Sequence, residues 1–430
     1  MSDAEAIRRS DVASVRSRRV LVVTPQPFYQ ARGTPIALLN TCHALGQLGY
    51  EVDLLAFPIG QDIFMPAVNI HRCANPFGIR AVPIGFSAGK ALLDVTLARS
   101  FWHLLRTRDY AAVHAVEEAA YLAALLCPRL GKPFVYDMAS SIPVELRHHK
   151  VFGTALAQRA LGALERLALR RASQVVCSMG LAEYVRAVAP KASCTEWRFP
   201  PLTEAADEAA VRQLRSELDI PAQARVVAYT GNFAAYQRLD LLFEAFTRAL
   251  AVDPKLMLVC VGASAEARAA ALAQFAPQVR ARVRILAPES RDRMPRYLAM
   301  ADCLISLRPS SDNLPLKVLD YMAAGRPIVA TRGRAHEPLL NGERAFLCEP
   351  RTESVTQTIL EVFSSPQRAR AVASAARSHA LQHYGWDRFV QLIDGVYGGI
   401  TGLRPRQRLP NSSASPAPRA ASFSSTMPRR

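Results

Sequence analysis

Short apolar stretches alternate with helix-length amphipathic ones along nearly the whole chain, and they do so in two successive runs. In the first run, Val20-Leu21-Val22-Val23 reads as a strand. A loop then passes through Gly33, and a helix follows over residues 35–48, stopped by Gly49. Further strands are expected at 51–56, 112–114, 134–136 and 174–177. In the second run they are expected at 226–230, 257–261, 283–286, 303–306 and 328–330, each followed by a helical pattern. Such alternation predicts parallel sheets covered by helices, an α/β architecture. Two runs predict two Rossmann-like domains, with the boundary between Pro200-Pro201 and Pro221. Ligands of open parallel sheets bind beyond the carboxyl ends of the strands, so two such domains facing each other make a cleft there.

With 430 residues, half of them hydrophobic, the chain can bury two cores of ordinary size. The most apolar long stretch, 111–126, is interrupted by His114, Glu117 and Glu118, so no membrane span is expected. The first 19 residues are charged and carry no apolar signal core. Residues 1–17 and the Ser-, Pro-, Ala- and Arg-rich stretch 404–430 are expected to be disordered. The eight cysteines are scattered, without a C-x-x-C pair. That pattern suits buried free thiols in a reducing, cytoplasmic setting rather than disulfides or zinc. The formal charge is +17, part of it in the tail and part on a segment read as helical, 144–171. That segment carries Arg147, Lys150, Arg159, Arg166, Arg170 and Arg171 against Glu145 and Glu165. Nucleic acid, an anionic membrane surface and anionic substrates all suit such charge. Sparse aromatics and the lack of a nucleic-acid motif favour the membrane over nucleic acid, at the inner face of the cell membrane.

The stretch from Ser311 to Thr331 carries the most chemistry. It reads as a loop with Asp312, a helix opened by Pro315, a stop at Gly325 and a strand after Pro327. Leu316, Leu319 and Ala323 share one face at helical spacing. Lys317 sits near the helix N-terminus, where the dipole disfavours a cation. A bound phosphate removes that objection, because helix N-termini also attract anions. Asp312 and Asp320 can accept hydrogen bonds from hydroxyls.

This stretch resembles the donor-site signature of retaining glycosyltransferases with the GT-B fold, in particular glycosyltransferase family 4. Those enzymes carry two Glu residues separated by seven positions, the second in a segment like L-E-[AY]-M-A-x-G-x-P-V-V-A. Here the segment is Leu319-Asp320-Tyr321-Met322-Ala323-Ala324-Gly325-Arg326-Pro327-Ile328-Val329-Ala330, with Asp at both carboxylate positions. The resemblance implies the GT-B fold, two Rossmann-like domains facing across a central cleft. It implies an acceptor-side domain over 18–200, a nucleotide-sugar-binding domain over 201–385 and a terminal helix over 386–403 that crosses back onto the first. Trp386 and Phe389 would anchor that helix.

By the same resemblance, the reaction moves a sugar from a nucleoside diphosphate sugar to an acceptor hydroxyl with retention at the anomeric carbon. Asp320 would bind the ribose hydroxyls and Asp312 the donor sugar, with Asn313 and Leu314 beside it. Arg238 and Lys317 would stabilise the diphosphate, with Gly231 allowing close backbone approach. The loop 24–35 is similar to the family's glycine loop, with Gly33 near the donor phosphates. His114 matches the first position of the family's H-x-H and Val116 replaces the second, which makes His114 a candidate contact to donor or acceptor. Glu117, Glu118 and Asp137 are candidates for the acceptor side. Gly262 would admit the base, Arg308 would shape the key loop and Glu337 would be structural. No D-x-D motif occurs, so no metal and no cofactor are expected beyond the nucleotide sugar itself. The acceptor would be lipid-linked or a glycan of the cell envelope. Two alternatives stand beside transfer: a catalytically weak binding protein that keeps the fold, and a sugar-nucleotide epimerase.

Overall fold

The computed structural model describes residues 17–30, 33–82, 87–308 and 315–404. Asp312, Asn313 and Leu314 lie outside the described residues, as do most of 1–17 and nearly all of 404–430. The chain forms two parallel sheets. The first contains β1 (Arg19–Val23), β2 (Glu51–Ala56), β3 (Val68–Arg72), β4 (Ala112–Val116), β5 (Phe134–Met138), β6 (Gln174–Cys177) and β7 (Cys194–Glu196), in the order β3-β2-β1-β4-β5-β6-β7. The second contains β8 (Arg225–Thr230), β9 (Leu256–Val261), β10 (Val283–Leu286), β11 (Cys303–Ser306), β12 (Ile328–Thr331) and β13 (Phe346–Cys348), in the order β10-β9-β8-β11-β12-β13.

In each sheet the chain builds outward from the first strand, then returns to its other side. Val20 therefore pairs with Val52 of β2 on one flank and Ala112 of β4 on the other. Leu258 of β9 and Cys303 of β11 both flank Val227 of β8 in the same way. The strand order reverses at β1/β4 and at β8/β11, and such switch points open a crevice at the carboxyl ends of the strands. The central strands are buried on both faces, which explains their continuous apolar runs.

Three strands escape the sequence reading: β3, β7 and β13. All are short, and β3 (VNIHR) and β7 (CTE) are polar edge strands whose apolar signal is weak. The helix read over 144–171 is also corrected. It is a short turn at Ile142–Glu145, a 3₁₀ turn at Leu146–His148 and a separate helix at Ala155–Arg171. Gly153 lies in the break, where a Cβ would meet the Arg147 carbonyl oxygen at 2.4 Å. The cysteines are all free, and Cys177 and Cys194 come within 3.4 Å of each other across β6 and β7.

The last helix, Trp386–Thr401, packs on the first sheet and on the Gly33–Gln47 helix. Phe389, Val390, Ile393, Val396 and Tyr397 join the core formed by Val20, Val22, Leu38, Val52 and Val116. Trp197 and Phe199, in the strand-to-linker segment, stack on Phe389 with ring centroids 5.6 and 5.7 Å away. Trp386 Nε1 donates to Gln47 Oε1 at 2.8 Å. The chain's end and its linker thus share one aromatic cluster, and the second half is anchored to the first through it.

Candidate active site

At the β8/β11 switch point, Gly231 follows β8 with φ +135° and Gly262 follows β9 with φ +120°. The two turns touch. A Cβ on Gly262 would lie 2.2 Å from the Gly231 carbonyl oxygen, and one on Gly231 would lie 3.3 Å from Lys317 Nζ. Backbone therefore approaches the Lys317 ammonium with no side chain between them. Gly262→Ala combines a forbidden φ with a backbone clash, so it should cost at least about 2 kcal/mol of stability. A urea-unfolding midpoint checks this.

The Leu316–Ala324 helix begins after Pro315 and ends at Gly325 in the left-handed conformation (φ 65°). Val318, Leu319, Tyr321, Met322 and Ala323 are buried on its inner side. Tyr321 Oη accepts a hydrogen bond from the Thr230 N–H at 2.8 Å, which ties the helix to the end of β8. This fixes Lys317 over the Tyr229 ring, with Nζ 3.9 Å from its centroid. Nζ donates to Gln237 Oε1 at 2.9 Å. No carboxylate bridges Lys317 among the described residues. Burial, together with the neighbouring Arg308, pushes the Lys317 ammonium well below its ordinary pKa. Arg308 itself stacks on Tyr236, 4.8 Å from the ring centroid. Beneath them, buried His336 bonds to Ser306 Oγ and the Thr331 carbonyl, and burial lowers its pKa to about 4. It stays neutral and adds no charge to the pair.

Arg238 is placed differently from the sequence reading. It adopts φ 55° at the junction between a 3₁₀ turn and the Leu239–Val252 helix. Its guanidinium pairs with Asp240 at 3.2 Å, partly exposed. The turn presents Gln237, not Arg238, to Lys317. Asp320 lies one turn after Lys317 and is directed elsewhere. Its Oδ1 accepts the Leu202 N–H at 2.7 Å, from the linker between the sheets, and its Oδ2 is 3.9 Å from Arg291. Burial raises its pKa against the pull of Arg291 and that N–H. No sequence signal marked Gln237, Arg291 or His336, because each matters only through a partner distant in the chain.

His114 sits in a network of buried side chains. Its side chain is fully buried in β4. Nε2 lies 3.1 Å from Asp137 Oδ2 and Nδ1 lies 2.9 Å from Tyr397 Oη. Trp197 Nε1 donates to the other Asp137 oxygen at 2.7 Å. In a neutral imidazole whose Nε2 proton goes to the carboxylate, Nδ1 accepts the Tyr397 hydroxyl proton. The four side chains join β4, β5, the linker and the last helix.

At the β1/β4 switch point the first loop meets the end of β4. Gln26 Nε2 donates to Glu117 Oε2 at 2.9 Å, and Glu117 sits at φ 49°. Lys90 pairs with Glu118. Burial and the Glu118 charge push the Glu117 carboxyl up. Gly33 opens the Gly33–Gln47 helix, and apart from its chain neighbours and the helix backbone no atom of the described residues lies within 4 Å of the place a Cβ would take. Tyr29, from the same loop, is within electrostatic reach of Arg291 and Asp292 of the second half. The carboxyl edges of the two sheets thus face each other, with carboxylates on one side and the Lys317–Arg308 pair on the other. Among the described residues no group of three or more His, Cys, Asp or Glu is placed to hold a metal ion.

Residues 224–365 match the family of glycosyl transferases group 1, and residues 32–196 match the glycosyl transferase 4-like domain. The D-inositol 3-phosphate glycosyltransferase of Salinispora tropica is 27% identical over 43% of this chain and 40% of its own length. The protein of that name in Streptosporangium roseum is 23% identical over 91% of this chain and 96% of its own. The lipopolysaccharide 1,2-N-acetylglucosaminetransferase of Salmonella typhimurium is 24% identical over 42% and 50%. The chain thus spans about half or less of the length of several relatives it matches. Among solved structures, sucrose-phosphate synthase from Thermosynechococcus elongatus superposes with a TM-score of 0.72 at 18% identity, over 90% of this chain and 100% of that one. Anabaena HepE in complex with UDP and glucose superposes with 0.67 at 17%, over 88% and 98%. With both halves matched and the two sheets arranged as in those neighbours, the chain belongs to the GT-B glycosyltransferases of the family 4 type.

Proposed function

We propose that this protein transfers a sugar from a nucleoside diphosphate sugar to an acceptor hydroxyl, with retention at the anomeric carbon. The observation that carries this reading is Lys317. It is a half-buried ammonium at a helix N-terminus, beside Arg308, with only neutral partners among the described residues. A diphosphate in the adjoining crevice would supply the missing charge, accept from the helix N–H groups and lie against the bare backbone of Gly231. Anabaena HepE, which shares the fold, holds UDP, in keeping with such a donor.

In this mechanism Lys317 and Arg308 stabilise the negative charge that develops on the leaving diphosphate, and electrostatic preorganisation lowers the barrier. Asp320 takes a ribose hydroxyl with Oδ2, the oxygen not engaged by Leu202. Asp312 binds hydroxyls of the donor sugar, and Gly33 lies near the donor phosphates. Arg238 reaches the diphosphate by leaving Asp240. Glu117 and Gln26 line the acceptor side. Because these cations do the work of a divalent ion, transfer should proceed at an unchanged rate in excess EDTA. A loss of activity restored by magnesium would contradict that.

The acceptor we propose is lipid-linked or a cell-envelope glycan, a reading supported by the Salmonella relative's name. No helix among the described residues is long and apolar enough to cross a membrane. The Ala155–Arg171 helix and the turn before it expose Leu156 and Val151 beside Lys150 and Arg159, a surface suited to an anionic bilayer at the inner face of the cell membrane. The protein should co-sediment with anionic vesicles at low salt and release at high salt; failure to pellet at low salt removes the membrane contact.

A further inference from the structure

A cavity of about 610 Å³ opens at the end of the second sheet opposite Lys317. It lies where Arg225 begins β8, Asp302 precedes β11 and Arg326 precedes β12. The Pro366–Tyr384 helix closes one side and contributes Arg370 and Arg377, two turns apart on one face. Four arginines therefore line the space, with Asp302 as its one acidic lining residue. That carboxylate already accepts the Val226 N–H at 2.8 Å.

Two of the arginines are fixed. Arg225 pairs with Asp253 at 2.7 Å and lies over the Phe363 ring, 5.5 Å from its centroid. Arg326 donates to the Ala299 carbonyl at 2.5 Å. Arg370 and Arg377 are exposed at the mouth and have no ion pair or hydrogen bond among the described residues. Two anchored arginines and two exposed, adjustable ones line a concave space suited to a compact dianion. Guanidinium groups bind phosphate through paired N–H donors, and the volume falls within the ordinary range for small-molecule sites.

We infer that this cavity is a second anion site, separate from the donor cleft, which binds a small molecule through a phosphate group. The site abuts Gly325, where a Cβ would lie 3.1 Å from Arg377 Cδ. Gly325 ends the helix whose other end carries Lys317. Eight residue steps of helix, about 12 Å, run from Lys317 to Gly325.

The test uses inorganic phosphate at constant ionic strength set with chloride. Melting temperatures are followed for wild type, the double variant Arg370→Ala/Arg377→Ala, and Lys317→Ala. Both arginines are exposed, so the double variant should melt near wild type without phosphate. Phosphate should raise the melting temperature of wild type and of Lys317→Ala alike. The phosphate concentration giving half the effect should rise tenfold or more in the double variant. An equal phosphate response in the double variant would overturn the inference, as would no response in wild type. A response abolished in Lys317→Ala would also overturn it, by placing the phosphate in the donor cleft. The readout is binding alone, so it stands or falls independently of sugar transfer.

Discussion

Lys317→Ala should lower sugar transfer by about 10²-fold or more, because it removes a preorganised cation from the leaving diphosphate. The loss should fall mainly on kcat, since the charge it meets grows in the transition state. Stability should move the other way. In the free protein the half-buried ammonium lies against Tyr229 and Gln237 with no carboxylate among the described residues, and beside Arg308. Lys317→Met keeps most of the volume and removes that cost, so it should melt at or above wild type. The pH dependence has a defined sign. A lysine whose folded-state pKa is depressed binds fewer protons folded than unfolded. Wild type should therefore gain stability as pH rises from that depressed value toward the ordinary 10.5, and Lys317→Met should lack the gain. Near-wild-type turnover in Lys317→Ala would remove the residue from the mechanism.

The second large effect is structural. Asp137→Ala strips the acceptor from the Trp197 indole N–H and the His114 imidazole N–H, both buried. Two orphaned donors and the lost carboxylate should cost about 3–5 kcal/mol. Tyr397→Phe deletes one hydroxyl from the same chain of hydrogen bonds and should cost only about 1 kcal/mol. Chemical denaturation of both variants checks the ratio. Transfer by Tyr397→Phe should keep the wild-type KM for donor, because the network joins linker and last helix rather than lining the cleft. A raised KM with unchanged stability would return His114 to the site.

The alternation of strands and helices was legible because each element is declared locally. Val20–Val23 is a continuous apolar run, and Leu316, Gly325 and Pro327 mark a helix and its end within a dozen residues. The edge strands β3 and β7 were not legible, since a polar strand is identified by the neighbour it pairs with. The same limit governs the side chains. Val113-His114-Ala115 looks alike whether the imidazole faces a ligand or a core. Its partner Tyr397 is 283 residues away in the chain. The rest partner of Arg238 is not legible in sequence, because the left-handed turn there directs the side chain toward Asp240 and presents Gln237 to Lys317. The motif marks Asp320, but the Leu202 N–H that its Oδ1 holds belongs to a linker with no signal of its own.

The central claim is that the crevice around Lys317 binds a nucleoside diphosphate. The most direct measurement is the melting temperature of wild type and Lys317→Ala with UDP, GDP, ADP and their sugar conjugates. Ligand that binds only the folded state raises that temperature by mass action. The account predicts a rise with nucleotides of one base, lost or much reduced in the variant. No rise with any of them in folded wild type, or an equal rise in Lys317→Ala, would contradict it.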